Sequence, residues 1–170
     1  MKDSSKSDWI VEALDLYEAR LLRYATWVLR DYELAREVVQ ETFLRLCREE
    51  PSTVGGYVAQ WLFTVCRNLA FDTRKKEVRM TPLEEVQVGV DSALDSNLEQ
   101  REAVGEIFRL LEDLPKNQRE VIYLKFRCDL SYKEISEVTK LSVSNVGFLI
   151  HTALKTIRQR VLSEPARRNV

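Results

Sequence analysis

Glycine and proline are scarce, with five and four in 170 residues. So few backbone breaks leave little turn chemistry for a many-stranded sheet. With 45% apolar and 31% charged residues, the chain reads as helical, core-forming and soluble rather than disordered. Histidine is rarer still, since His151 stands alone. Cys47, Cys66 and Cys128 are odd in number, far apart, and make no C-x-x-C. A zinc site, a disulfide framework and a Ser-His-Asp triad all find too few residues, and no glycine-rich nucleotide loop is present. No metal, cofactor or catalysis is therefore expected, and the cysteines read as reduced, small, semi-buried apolar residues. The start lacks the apolar stretch of a signal peptide, and no run approaches the ~18 apolar residues of a membrane span.

Charge is balanced overall, at −1, but not along the chain. Residues 1–76 hold 12 basic and 12 acidic side chains, residues 77–98 hold one basic and five acidic, and from Lys140 onward six basic residues face one acidic. Helical periodicity runs on both sides of the acidic stretch. It predicts helices over Ser7–Leu29, Tyr32–Arg48 and Tyr57–Glu77, with a break at "EEPSTVGG". Beyond the acidic stretch, Asn97 with Gln100 resembles a capping box opening a helix to Asp113, and Pro115 suits a first helical turn. Ser131 with Glu134 forms a second box, and Ser142 is the expected cap of the last helix. The expected fold is all-α: two small helical domains joined by an acidic flexible linker. Boundaries fall at 1–77, 78–97 and 98–163. A linker of about 20 residues reaches at most ~70 Å, about 20 base pairs of duplex.

Residues 132–160 match a helix-turn-helix: "YKEISEVTK", a short turn, then "SVSNVGFLIHTALKTIRQR". Val143, Val146, Ile150, Ala153 and Ile157 fall on one packing face of the second helix. Ser144, Phe148, His151 and Lys155 fall on the other, with Asn145 and Thr152 on its flank. Asn and Ser read base edges, Phe148 suits a thymine methyl, and Lys155, Arg158 and Arg160 suit phosphates. The helix lacks Lys and Arg through its first thirteen residues, Ser142 to Leu154.

Together "ELAREVVQETFLRLCR", "QWLFTVCRNLAFDTRKK", "LPKNQREVIYLKF" and "LSYKEISEVTKLSVSNVGFLIHTALKTIRQR" resemble the extracytoplasmic-function (ECF) sigma factors, small promoter-specificity subunits of bacterial RNA polymerase. The resemblance spans about Leu16 to Val161. It implies a first domain that binds the polymerase clamp and melts the −10 element, and a second that binds the −35 element. Core RNA polymerase, promoter DNA (duplex at −35, single-stranded at −10) and an anti-sigma factor are the implied partners, in the bacterial cytoplasm, with no membrane insertion of this chain.

Carried over residue by residue, Glu37, Gln40, Glu41 and Phe43 are the expected polymerase contacts, an acidic and amide face with one aromatic anchor. On the third helix, Trp61, Thr64, Asn68, Asp72 and Lys75 share a stripe beside a core-facing Leu62, Val65, Cys66 and Leu69. An aromatic, an amide and a cation in a row can stack an unpaired base, bond its edge and hold its phosphate. The expected −10 residues are Tyr57, Trp61, Asn68, Asp72, Arg74, Lys75 and Lys76. The expected −35 residues are Ser142, Ser144, Asn145, Phe148, His151, Thr152, Lys155 and Arg158.

One departure stands out. The family usually has Lys, Arg and Arg where this chain has Gly147, Leu149 and Thr152; Leu154 replaces a further Arg, and Lys140 stands where the turn usually has Gly. Three to four missing cations flatten the salt dependence of DNA binding by about 0.9 per lost contact. Two other readings stay open: a helix-turn-helix regulator that never joins polymerase, and a sigma-like interaction module that does not direct initiation.

Overall fold

Leu21, Tyr24, Ala25 and Val28 recur at helical spacing and are all buried, which commits the first segment to one long amphipathic helix. The computed structural model describes residues 2–80 and 109–163. Helix α1 spans Lys2–Leu29, so it starts five residues ahead of the expected Ser7. It stops at Arg30, whose φ of 59° is left-handed. Helix α2 spans Tyr32–Leu46. Its cap is Asp31, whose Oδ1 accepts from the Leu34 N–H at 3.0 Å.

The expected break at "EEPSTVGG" is instead a short helix, α3, at Pro51–Val54, followed by a 3-10 turn at Gly55–Tyr57. Pro51 sits in the first turn, where its missing N–H costs nothing. Helix α4 then runs Val58–Met80. It extends past Glu77, so residues 78–80, expected in the linker, are helical; the first proline comes only at position 82. The remainder of the expected linker and the Asn97–Gln100 cap lie outside the described residues. Of the helix expected from Asn97 to Asp113, residues 109–112 are seen and are helical.

Pro115 is the N-cap of α5, Lys116–Phe126, rather than part of its first turn. Helix α6 spans Tyr132–Thr139 and carries the expected box: Ser131 Oγ accepts from the Glu134 N–H at 3.2 Å, and Glu134 Oε2 accepts from the Ser131 N–H at 2.7 Å. Lys140 closes it with φ 63°. Helix α7 spans Val143–Ser163, with Ser142 Oγ accepting from the Asn145 N–H at 3.1 Å. Helices α6 and α7 are the expected helix-turn-helix. The described residues contain no strand.

The core is continuous across both halves. From the first come Leu21, Tyr24, Leu46, Leu62 and Phe63; from the second Val121, Leu124, Leu130, Ile135 and Ile150. Helix α5 lies on α1 and α4 through a seam of named contacts. Trp27 stacks on Tyr123 with ring centroids 4.5 Å apart, and the Tyr123 hydroxyl donates to the Arg23 carbonyl at 3.1 Å. Arg20 donates to the carbonyls of Cys128 and Asp129. At the centre Glu120, 4% exposed, accepts from both Arg67 (2.7 and 3.1 Å) and the Tyr24 hydroxyl (2.8 Å). A buried carboxylate is tolerated only when paired and fully hydrogen-bonded, and both conditions hold here.

Candidate nucleic-acid and polymerase surfaces

The α4 helix divides its work between faces. Ala59, Leu62, Phe63, Cys66 and Ala70 are buried. The expected core stripe was partly misplaced: Val65 and Leu69 are only half-buried, and Phe63 and Ala70 take their places. A second face, with Arg67 and Phe71, turns to the seam, where the Arg67 guanidinium lies 4.8 Å from the Phe71 ring. Burial opposes the charge on Arg67, but the hydrogen bonds and charge of Glu120 more than offset it and hold the guanidinium above its ordinary value.

The third face is the expected base-reading row. Trp61 is half-buried and packs against the core, while Asn68, Asp72 and Lys75 are exposed. Trp61 and Asn68 are thus not sealed inside the bundle. Thr64, on the same stripe, donates its hydroxyl to the Gln60 carbonyl at 2.6 Å. Tyr57, 43% exposed, ends the 3-10 turn just before α4. Lys76 is exposed; Arg74 is exposed too, but it borders the seam with α5.

On α2, Glu37 and Gln40 are exposed, and Glu41 pairs with Arg45 at 2.9 Å. Phe43 departs from the expectation of an outward-facing anchor. It is 7% exposed and lies in the core, so it cannot anchor a partner without unpacking α2. The i, i+4 spacing from Val39 puts it on the inner stripe. The apolar residue facing outward there is Leu44, 48% exposed, which the sequence reading passed over.

On α7, Val146, Ile150 and Ala153 are buried and Ile157 half-buried, as the periodicity requires. Val143, expected on the packing face, is exposed, because it begins the helix before the hairpin closes on it. Ser144, Asn145, Phe148 and His151 are exposed over the first turns, Phe148 at 66%. Lys155 and Arg158 are exposed further along. Ser142 spends its oxygen on the cap, and Thr152 is half-buried. Of the positions where cations were missing, Leu149 packs against the core, and a Cβ on Gly147 would meet the Tyr132 ring at 3.5 Å. Leu154 is exposed.

Among the cysteines, burial pushes the Cys66 and Cys128 thiols up to about 12, and Cys47 is exposed rather than semi-buried. Among the described residues no His, Cys, Asp and Glu cluster could hold a metal, and no helix is long and apolar enough to cross a membrane.

A helical first half whose α4 carries a half-buried Trp61 in line with an exposed amide and cation, followed by a helix-turn-helix, fits a two-part promoter-binding protein. Residues 14–80 match Sigma-70 region 2, and residues 105–157 match Sigma-70, region 4. The chain is 27% identical over 151 residues to the ECF RNA polymerase sigma factor SigM of Bacillus subtilis, covering 88% of this chain and 93% of that protein. It is 29% identical over 131 residues to the ECF RNA polymerase sigma factor RpoE of Cereibacter sphaeroides, covering 76% and 71%. A further relative is the ECF RNA polymerase sigma factor SigL of Mycobacterium tuberculosis, 29% identical over 157 residues, 85% and 84% covered. The chain belongs to the ECF sigma factors of the Sigma-70 family. It is a promoter-recognising subunit of bacterial RNA polymerase, with initiation specificity and no catalysis of its own.

Proposed function

We propose that residues 1–77 form the unit that binds core polymerase and opens the −10 element, that 78–97 tether it, and that 98–163 form the unit that binds −35 duplex. The observation that carries this reading is the row on α4: a half-buried Trp61 leading to exposed Asn68, Asp72 and Lys75. Stacking on Trp61, with Tyr57 closing the loop side, returns ~1–3 kcal/mol per unpaired base, comparable to the few kcal/mol that flipping costs. Asn68 and Asp72 bond the base edge, and Arg74, Lys75 and Lys76 take phosphates. Glu37, Gln40 and Glu41 form the acidic and amide face toward polymerase, with exposed Leu44 in the apolar role expected of Phe43. On α7, Ser144, Asn145 and Phe148 read the groove, flanked by His151 and Thr152, and Lys155 and Arg158 hold phosphates. Ser142 contributes through the cap it makes. With few cations in that helix, tethering to polymerase supplies much of the −35 affinity. The chain works in the bacterial cytoplasm, held in check by an anti-sigma factor.

The regulator and interaction-module readings explain only the C-terminal half or only the contacts, and a match that includes region 2 does not favour them. The test is transcription with core polymerase on a promoter library. The wild-type chain directs selective initiation; Trp61→Ala and Asn68→Ala each lower open-complex formation about tenfold, as expected for ~1.4 kcal/mol lost at one base. Equal initiation by wild type and both variants would sink the assignment.

A further inference from the structure

Beyond the Arg67–Glu120 pair, a cavity of about 140 Å³ opens between α1, α4 and α5. Arg30 and Arg74 border it from the N-terminal half, and Lys116 and Arg119 from the C-terminal half; Trp27 and Phe71 supply aromatic walls. Arg30 meets Glu112 at 3.8 Å, and Lys116 lies 5.1 Å from the centre of the Phe71 ring. No ion pair among the described residues reaches Arg74, Lys116 or Arg119. Glu120 also borders the cavity, but its carboxylate is already taken by Arg67 and Tyr24. Counting Arg67 with Glu120 and Arg30 with Glu112 as neutral pairs leaves three of these positive charges without an ion pair among the described residues. Arg30 registers the excess: burial first, with Arg74 and Arg119 adding to it against the pull of Glu112, holds its guanidinium below the ordinary value.

Like charges on both walls push the two halves apart, although the rest of the seam draws them together. An anion between the walls reverses that sign. Guanidinium forks match phosphate oxygens in pairs. The volume holds a phosphate or pyrophosphate group, but falls short of the ~300 Å³ or more of pockets that enclose drug-sized molecules. We propose that this cavity is an anion site for a phosphate group, and that its occupant, gripped by cations of both halves, holds the seam closed. The phosphate comes either from a free phosphoanion or from a nucleic-acid backbone. The inference rests on the promoter reading only at Arg74, which an occupied seam withdraws from −10 DNA.

The full chain, without polymerase, is titrated with inorganic pyrophosphate by calorimetry and by thermal unfolding, against sodium chloride at matched ionic strength. Saturable binding and a Tm rise that chloride does not reproduce are expected. Arg119→Gln and Lys116→Gln each weaken pyrophosphate at least tenfold, whereas Lys133→Gln, an exposed cation on α6, leaves it unchanged. Circular dichroism establishes that the variants are folded, and the exposed Lys116 gives a readout should Arg119→Gln fail to fold. A single-stranded oligonucleotide that displaces pyrophosphate identifies a backbone phosphate as the occupant; one that does not identifies a free anion. No saturable heat, a chloride effect of equal size, or unchanged affinity in both variants would overturn the site. None of these readouts involves a promoter, so the outcome is separable from the transcription test.

Discussion

At the scale of single residues, the molecule departs from family habit most plainly at Lys140. Its φ of 63° is the conformation glycine adopts freely, and a side chain there carries strain of roughly 1–2 kcal/mol. Lys140→Gly removes that strain but frees the unfolded chain, which returns about 0.5–1 kcal/mol. The expected result is a net gain of about 0.5–1 kcal/mol, read as a higher urea midpoint; an unchanged or lower midpoint would mean that the lysine relieves its own strain. The turn was legible from sequence because a known pattern puts glycine there. Phe43 was not legible in the same way: motif position pointed outward, whereas the stripe with Val39 and Leu46 put it inside.

At the scale of elements, α7 is a helix with a firmly packed inner face and a sparsely charged outer one. Leu154 is its exposed apolar residue at a position where the family has a cation. Leu154→Arg is expected to tighten −35 duplex binding and steepen its dependence on log salt by about 0.9, the signature of one added phosphate contact. A fluorescence anisotropy titration at several salt concentrations checks this, and an unchanged slope would place residue 154 away from the backbone. Helix starts were readable where a side chain closes the first turn, as at Ser131 and Ser142. The "EEPSTVGG" break was misread because neither glycine takes a positive φ, so both are accommodated in helical turns.

For the whole molecule, the decisive feature is the seam. Glu120→Ala leaves Arg67 partly buried without its partner and the Tyr24 hydroxyl without its acceptor, a loss of about 2–4 kcal/mol. The loss falls on the attachment of the halves, so the expected readout is a larger radius of gyration by X-ray scattering with nearly unchanged helicity. A compact variant would show that the remaining contacts of the seam suffice. The seam also bears on pH. The Cys66 and Cys128 thiols hold their protons more tightly folded than unfolded, by burial, and so does Tyr24, through burial and then Glu120. Their contribution is complete below pH 9, and is lost as pH rises from 9 toward 12 for the thiols and from 10 upward for the tyrosine. Each pH unit in that window costs about 1.4 kcal/mol per thiol. Urea midpoints at pH 8 and pH 10.5 are expected to differ clearly, and equal midpoints would contradict the burial of these groups.

By itself the sequence determined the helical class, the helix-turn-helix, two of its caps and the row on α4, because each follows from spacing along a single helix. Only the tertiary structure decided that α5 lies on α1 and α4, that Arg67 faces Glu120 across 53 positions of chain, and that four cations from two halves surround one cavity. Periodicity tells which face of a helix is buried; it carries no information about what that face is buried against.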